Sequence, residues 1–366
     1  MAAPQDPMIK TYEMAQHKIS KKEFVISGII CSVYGLEELP VDAKEVSCMY
    51  VLHPRSNDRA SMEVTACTVI ADWNDRLRAN LSSAQPQNLN GLIAVCFDQR
   101  NHGTREVDKV SNITWREGNA NHAQDMFAIF NGTTRDVSLL IDLMGCYTFP
   151  KSERKITKNL VLGVSLGAHA AWGAVIHDPR VTIGVVIVGT SDFINLMSDR
   201  ARLSKIPAWK NSDPPGSRFL GSESFPEPLV NILKSWDPAT YFLHRLKSSS
   251  PIGPSRGSPI REPTDEEKAI LRPLLSRSLG GKKILNLSGA LDKMVPYKHG
   301  EPFLTWLKKA IAPGGWCSDQ QTSIEDQIFE GVGHEVTPPM VQEAVRFIGE
   351  ALAADEGDLA LRTSKM

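Results

Sequence analysis

The sequence predicts an α/β protein with a doubly wound, mostly parallel sheet and an inserted cap. Short apolar segments alternate with longer amphipathic ones, as they do where helices join parallel strands. A hydrophobic fraction of 42% is sufficient for a large buried core. About 90 residues separate two consecutive predicted strands, more than one connecting helix requires, and this excess predicts the cap.

The apolar segments rich in Val, Ile, Leu and Tyr are predicted to be strands. In chain order they are Glu23–Tyr34, Glu45–Leu52, Leu92–Phe97, Leu160–Gly163, Val181–Val188, Lys283–Leu287 and Asp326–Phe329. Amphipathic spacing predicts helices between and after them, at Asn121–Cys146, Leu166–His177, Pro302–Ile311 and Pro339–Ala354. No internal repeat interrupts this order.

The predicted cap divides the core into two parts. Residues 1–190 and 282–366 form the core, and residues 191–281 form the cap or lid. Within it, Lys247–Thr264 is rich in Ser, Pro, Gly and Arg, which favours a loop. Because lids commonly control substrate entry, we expect this insertion to select the substrate. The alternative is a surface insertion without a role.

Charge and hydropathy exclude several classes of partner. The formal net charge is −1 and no dense run of Lys or Arg occurs, so no nucleic-acid partner is expected. No apolar run reaches the roughly 18 residues of a transmembrane segment. Residues 1–22 contain no apolar stretch typical of a secretory signal, which predicts an intracellular protein. The six cysteines are widely separated and are expected to be buried, reduced thiols.

A candidate nucleophile lies in Gly163–Gly167, which has the pattern G-x-S-x-G with Ser165 at its centre. The motif follows an apolar strand and opens a predicted helix, the context of a nucleophile elbow. Glycine two residues before and two after the serine would let strand and helix approach closely. A Gly-Ser-Gly turn without chemistry is the alternative.

A serine hydroxyl needs a general base, and nine histidines are candidates. His334 lies in a glycine-rich loop after the last predicted strand and before the last helix, where it can project over the sheet edge. His53, His102 and His169 fit structural positions better, at a strand end, in a turn and within a helix. His334 is therefore predicted as the base.

Two aspartates compete to orient that histidine. Asp292 follows the strand Lys283–Leu287 and gives the chain order Ser, Asp, His that is expected for this fold. Asp192 follows the preceding strand, and adjacent strand ends converge on one site. Asp292 is preferred, Asp192 remains the alternative acid, and either could instead cap a helix.

The developing negative charge on a carbonyl oxygen needs preorganised donors. The backbone N–H of Leu166 is the first candidate, and that of Arg55, in the loop after Leu52, is the second because Pro54 has no N–H. No metal-binding or nucleotide-binding motif occurs, so neither a metal nor another cofactor is expected.

Four segments together resemble the α/β-hydrolase superfamily over nearly the whole chain. They are Gly163–Gly167, Asp98–Gly103, Gly289–Pro296 and Gly333–His334. A narrower resemblance, to a fungal branch, rests on Asn101–Gly103, Trp115–His122 with Asp125, and Asp192–Leu203. That branch includes peroxisomal lipase-like proteins, host-selective toxin biosynthesis hydrolases and the mycophenolic acid acyl-CoA hydrolase.

The narrower resemblance implies hydrolysis of an ester or acyl-CoA thioester, in fungal secondary or lipid metabolism. It also implies that some members take the acid from the earlier strand, which keeps Asp192 open. The chain ends in Ser364–Met366, a variant of the S-K-L address, which predicts binding to the peroxisomal import receptor and a peroxisomal location. A cytoplasmic location with an uninformative tail is the alternative.

The predicted triad of Ser165, Asp292 and His334 is compatible with other functions. A C–C hydrolase or a cyclising acyltransferase would use the same triad, and assays with different acceptor nucleophiles would distinguish them. A catalytically silent protein that binds a small ligand is the alternative from another class. The acyl group, the leaving group and the oligomeric state do not follow from the sequence.

Overall fold

The computed structural model describes residues 6–81, 90–247 and 259–363, without the side chains of Leu81 and of residues 355–363. Its strands are β1 (Lys21–Ile26), β2 (Ile29–Tyr34), β3 (Glu45–Leu52), β4 (Gly91–Phe97), β5 (Lys155–Val164), β6 (Val181–Ile187), β7 (Lys283–Gly289) and β8 (Ser323–Phe329). Its helices are α1 (Glu63–Leu81), α2 (His122–Thr148), α3 (Leu166–His177), α4 (Phe193–Leu203), α5 (Pro207–Lys210), α6 (Glu227–Trp236), α7 (Pro238–Leu243), α8 (Asp265–Leu279), α9 (Glu301–Ile311) and α10 (Pro338–Thr363).

All eight strands form one sheet in the order β1-β2-β4-β3-β5-β6-β7-β8. From β4 across to β8 every pairing is parallel, whereas β2 runs antiparallel to both of its neighbours. This arrangement confirms the predicted fold class. A topology of this kind brings the carboxyl ends of the parallel strands, and the loops that follow them, to one edge of the sheet.

Helices cover both faces of the sheet, and strand β3 shows why its sequence is continuously apolar. Cys48, Tyr50 and Leu52 belong to the core under α2 and α3. Met49 and Val51 belong to the opposite core, under α1 and α10. Because side chains alternate between faces along a strand, a strand buried on both faces loses the alternation of polar and apolar residues.

The prediction of one strand over Glu23–Tyr34 was wrong. The segment folds back at Ser27 and Gly28, which have φ angles of 50° and 78°, and so forms the hairpin β1-β2. A two-residue turn with two positive φ angles matches the twist of antiparallel strands.

Helix α1 was not predicted, since the buried Thr65 and Asn74 weaken its apolar stripe.

The chain between β6 and β7 contains helices α4 to α8 and packs tightly on the sheet. Phe193 of α4 contacts Phe130 of α2, with ring centroids 5.3 Å apart, and Phe219 contacts Phe225 at 5.2 Å. All four rings are buried in the same core. The described part of the insertion therefore shares its core with the sheet, and its role as a cap stays a prediction. Residues 248–258, within the predicted loop, lie outside the described part.

Helix α8 begins with an ion pair between the buried carboxylate of Glu267 and the half-exposed guanidinium of Arg261. Thr264 and Glu267 form a capping box, and the Glu267 carboxylate accepts hydrogen bonds from the Lys247 amide at 2.6 Å and from Arg261 at 2.6 and 2.7 Å. The hydrogen bonds from Arg261 lower the pKa of Glu267 to about 2. The folded state therefore favours the ionised carboxylate.

Glu267→Gln is expected to lower the free energy of unfolding by about 2 kcal/mol at pH 7, because it removes a charge-assisted bond at a helix start. A lowered pKa contributes stability above the ordinary value of 4.5, and this contribution disappears as the pH falls towards about 2. Urea unfolding at pH 7 and pH 3 should thus show a difference between variant and wild type that shrinks at pH 3. Glu266→Gln, at an exposed neighbouring carboxylate, serves as the control.

Five of the six cysteines are buried, as predicted, and one is exposed. All six cysteines are free thiols, as predicted, but Cys146 is exposed near the end of α2, so the prediction of burial was wrong there. The adjacent Tyr147 is exposed as well, which the sequence spacing did not reveal. Among the described residues, no helix combines the length and the apolar character that crossing a membrane requires.

Candidate active site

Ser165 lies on a sharp turn between β5 and α3. Its backbone has φ 52° and ψ −110°, and its amide donates to the Ile187 carbonyl of β6 at 2.9 Å. A positive φ is strained for any residue other than glycine, and such strain persists only where the surrounding structure enforces it. The turn directs the hydroxyl to the edge of the sheet at which the parallel strands end.

The two flanking glycines allow this close approach of backbone segments. A Cβ at Gly163 would lie 2.1 Å from the Gly167 carbonyl oxygen, and one at Gly167 would lie 2.3 Å from the Leu52 carbonyl oxygen of β3. Both contacts are with backbone atoms, which cannot rotate away. The structure thus confirms the steric reason for glycine on either side of the serine.

Gly167→Ala is expected to lower the free energy of unfolding by about 3 kcal/mol, since the added methyl group must displace backbone. The matched control is Gly145→Ala within α2, where an added Cβ meets no atom within 4 Å. That change should leave stability unchanged or raise it by about 1 kcal/mol. Urea unfolding of both variants provides the comparison. Equal stability of the Gly167→Ala variant and the wild type would refute the proposed backbone contact.

A chain of two hydrogen bonds connects the serine to a histidine and an aspartate. The Ser165 Oγ lies 2.8 Å from Nε2 of His334, and Nδ1 of His334 lies 2.7 Å from Oδ2 of Asp292. Since a carboxylate accepts, Nδ1 carries the proton and Nε2 is free to accept from the serine hydroxyl. The His334 and Asp292 side chains are 8% and 1% exposed, so little solvent competes for these bonds.

The carboxylate of Asp292 is itself held in place. Its Oδ1 accepts from the amides of Met294 and Val295, both at 2.8 Å, while Oδ2 faces the histidine. Asp192 has another position, because its Oδ1 accepts from the Asn195 amide at 2.9 Å and caps α4. The single proton on Nδ1 of His334 is bound by Asp292, so the structure places the alternative acid outside this chain of bonds.

The other candidate histidines are buried in structural roles. His53 accepts the Gln99 amide at its Nε2, and burial lowers the pKa of His53 to about 4. His169 donates from Nδ1 to the Thr190 carbonyl, and burial lowers its pKa to about 3. His102 contacts the Arg100 carbonyl through Nδ1.

Comparison with known proteins shows which solved structures share the fold of this chain. No protein-family model matches the chain, and no curated protein matches its sequence. A solved structure, TT1662 from Thermus thermophilus, superposes with a TM-score of 0.51 at 15% identity over 92% of this chain and 99% of that one. Puromycin hydrolase superposes with a TM-score of 0.51 at 14% identity over 93% of this chain but only 39% of that chain. The chain has the α/β-hydrolase fold.

At such low identity the likeness concerns the α/β-hydrolase fold alone, and the chain spans about two fifths of puromycin hydrolase. In this fold the loop after β3 and the residue after the nucleophile commonly supply the donors for an oxyanion. Arg55 and Leu166 occupy these two places and both line a cavity with Ser165. Neither of the two amides donates to another residue of the described chain.

The cavity beside Ser165 has a volume of about 170 Å³. Met126, Met294 and Val295 form its apolar side, and a second, more open cavity of about 640 Å³ shares Asp6, Ser56 and Asn57 with it. The small cavity is thus adjacent to the hydroxyl, and the larger one offers room beyond it. Within the described residues, no group of His, Cys, Asp and Glu side chains is placed to hold a metal ion.

Sequence analysis did not assign a role to Arg200, which also lines the small cavity. A signal was present, because Phe193, Leu196, Met197 and Arg200 are spaced i, i+3, i+4, i+7, and the first three are buried. That spacing places Arg200 on the buried face of helix α4. A charged side chain on such a face is a candidate for a binding role.

Proposed function

We propose that the protein is a serine hydrolase that cleaves a carboxylic ester or an acyl-CoA thioester through an acyl-enzyme. The observation that carries the proposal is the chain of short hydrogen bonds from Ser165 through His334 to Asp292, on a strained turn. A serine hydroxyl becomes a nucleophile when an adjacent base accepts its proton, and a buried carboxylate stabilises the imidazolium that forms.

Ser165, His334 and the two backbone amides have distinct roles in a two-step acyl transfer. The Ser165 Oγ attacks the carbonyl carbon while Nε2 of His334 takes the hydroxyl proton, and the amides of Leu166 and Arg55 bind the resulting oxyanion. His334 returns the proton to the leaving alcohol or thiol, and the acyl-enzyme forms. Water, deprotonated by His334, then attacks the acyl-enzyme, and His334 returns that proton to the Ser165 Oγ as the acid is released.

The size and lining of the small cavity support a short acyl group. Its volume of about 170 Å³ corresponds to a few carbon atoms, and Met126, Met294 and Val295 offer apolar contact. The resemblance to the fungal branch supports a thioester of coenzyme A as one form of the substrate, and a place in secondary or lipid metabolism. The larger adjoining cavity is then a place for part of the leaving group.

Hydrolysis assays on a matched panel test the proposal. Purified protein would be given 4-nitrophenyl esters and coenzyme A thioesters of the same acetyl, butanoyl and hexanoyl groups, with Ser165→Ala as the blank. We expect turnover of at least one series, with a preference for the shorter acyl groups. Folded wild-type protein without turnover of either series would favour the silent ligand-binding protein. Transfer of the acyl group to an added alcohol in preference to water would favour the acyltransferase.

The peroxisomal location and the import receptor stay predictions. Ser364–Met366 lie outside the described residues, so the structure adds nothing on the tail. A fluorescent fusion that carries the tail at its C-terminus, compared with the same fusion lacking these three residues, tests the prediction in fungal cells. We expect punctate fluorescence that coincides with a peroxisomal marker only for the complete tail.

A further inference from the structure

Two arginine side chains line the small cavity, and neither has a carboxylate partner among the described residues. Arg200 reaches in from α4, and its guanidinium contacts Nε2 of His122 at 3.4 Å, Sδ of Met126 at 3.1 Å and the Met294 carbonyl at 3.1 Å. Arg55 makes no hydrogen bond through its guanidinium to the described part of the chain. Both side chains are only partly accessible to solvent, and a charge withdrawn from solvent is costly unless something pairs with it.

The surroundings do not neutralise these charges. Burial, followed by the charge of Arg55, lowers the pKa of Arg200 to about 9, so the group is still charged at neutral pH. Burial, followed by the charges of Arg200 and Arg55, lowers the pKa of His122 to about 2, so that histidine is a neutral neighbour.

The acidic groups near the cavity are already bound elsewhere. Asp292 accepts from His334 and from two amides. Asp6 lines the cavity, but its carboxylate accepts from the Met8 amide, the Asn57 side chain and the Tyr12 hydroxyl. Glu117, which faces Arg55 from a distance, is engaged in a capping box with Thr114. These acidic groups therefore leave both guanidiniums without a bound carboxylate in the described chain, and both side chains line the cavity.

We propose that Arg55 and Arg200 bind a carboxylate carried by the substrate, so that the enzyme prefers an ester or thioester with a negative charge close to the scissile carbonyl. The inference rests on the proposed function and narrows its substrate class. The planar guanidinium offers paired N–H donors that fit a carboxylate. Ser165 and both arginines line one cavity of about 170 Å³, so carboxylate and carbonyl lie within one short molecule.

The carboxylate has two possible sources, the acyl group and the leaving group, and two matched pairs of esters distinguish them. Monomethyl glutarate and methyl pentanoate differ by a carboxylate on the acyl chain. Carboxymethyl pentanoate and ethyl pentanoate differ by a carboxylate on the leaving group. We expect kcat/KM to be about 10- to 100-fold higher for the anionic member of one pair, the range that charge-assisted hydrogen bonds provide.

Arg200→Gln is expected to reduce the ratio of kcat/KM for the anionic ester to kcat/KM for the neutral ester to near one. Arg202→Gln is the matched control, since Arg202 belongs to the same helix but is exposed and paired with Asp199. It should keep the wild-type preference. Arg200→Lys retains the positive charge but loses the paired N–H donors of the guanidinium, so it should keep part of the preference for the anionic esters. A wild-type enzyme that hydrolyses neutral and anionic members equally well would overturn the inference.

A binding measurement separates this inference from the proposed function. Calorimetric titration of the folded Ser165→Ala protein with glutarate needs no turnover. We expect binding that Arg200→Gln, in the same background, weakens at least about 10-fold. If no ester is hydrolysed but glutarate binds in this Arg200-dependent way, the proposed function fails and the carboxylate site stands. Absence of binding of both glutarate and carboxymethyl pentanoate to folded Ser165→Ala would overturn the site itself.

Discussion

Replacement of Ser165 by alanine is expected to lower kcat by about 10⁶-fold, the loss seen when a triad nucleophile is removed. The physical reason is that the covalent route disappears, since water must then attack the substrate directly. Oxyanion donors and substrate binding would leave a residual rate of about 10³-fold or more over the uncatalysed reaction. Steady-state assays on the ester that the wild type hydrolyses fastest provide the measurement.

The double variant Ser165→Ala/His334→Ala sharpens this test, because triad residues act as a unit. The kcat of the double variant should be at most a few-fold lower than that of Ser165→Ala. Ser222→Ala is the control, since Ser222 lines neither of the two cavities and its hydroxyl donates to the Phe219 carbonyl. Multiplicative losses in the double variant would show that the serine and the histidine act independently.

Replacement of Asp292 by asparagine is expected to lower kcat by about 10⁴-fold while the protein stays folded. An amide can donate to Nδ1 of His334, which would move the ring proton to Nε2 and leave the serine hydroxyl without an acceptor. An amide also stabilises the imidazolium far less than a carboxylate does. The rate of ester hydrolysis at neutral pH measures this loss.

Asp192→Asn is the matched control for the acid. Its side chain caps α4, and asparagine is as good an N-cap as aspartate, so kcat and stability should change little. The two aspartates follow neighbouring strands, and the chain order alone left both open. A loss of about 10⁴-fold in the Asp192 variant, with an active Asp292 variant, would exchange their assignments.

Local features of the site were predictable because short-range sterics and chain order determine them. The Gly163–Gly167 motif specifies a sharp turn from five consecutive residues. His334 was favoured because it sits between the last strand and the last helix of the predicted order. The hairpin at Ser27 and Gly28 was missed although Ser-Gly is a turn signal, because the apolar residues on both sides of it together resemble one long strand.

Features that depend on long-range packing were not predictable. The choice between Asp292 and Asp192 depends on the paths of the loops that carry them. The amides of Met294 and Val295 hold the Asp292 carboxylate, whereas the Asp192 carboxylate caps the start of α4. Arg200 reaches the cavity only because α4 packs against α2, which places residues 126 and 200 side by side. The sequence shows the buried face of α4 but not what that face contacts.

The most direct test of an activated nucleophile at Ser165 is fluorophosphonate labelling followed by mass spectrometry of the intact protein and its peptides. Such a probe reacts with a serine that a base has activated, whatever the natural substrate is. We expect one label on the wild type, located on Ser165 and absent from Ser165→Ala and His334→Ala. A folded wild-type protein that takes up no label, or a label that persists without His334, would contradict this expectation.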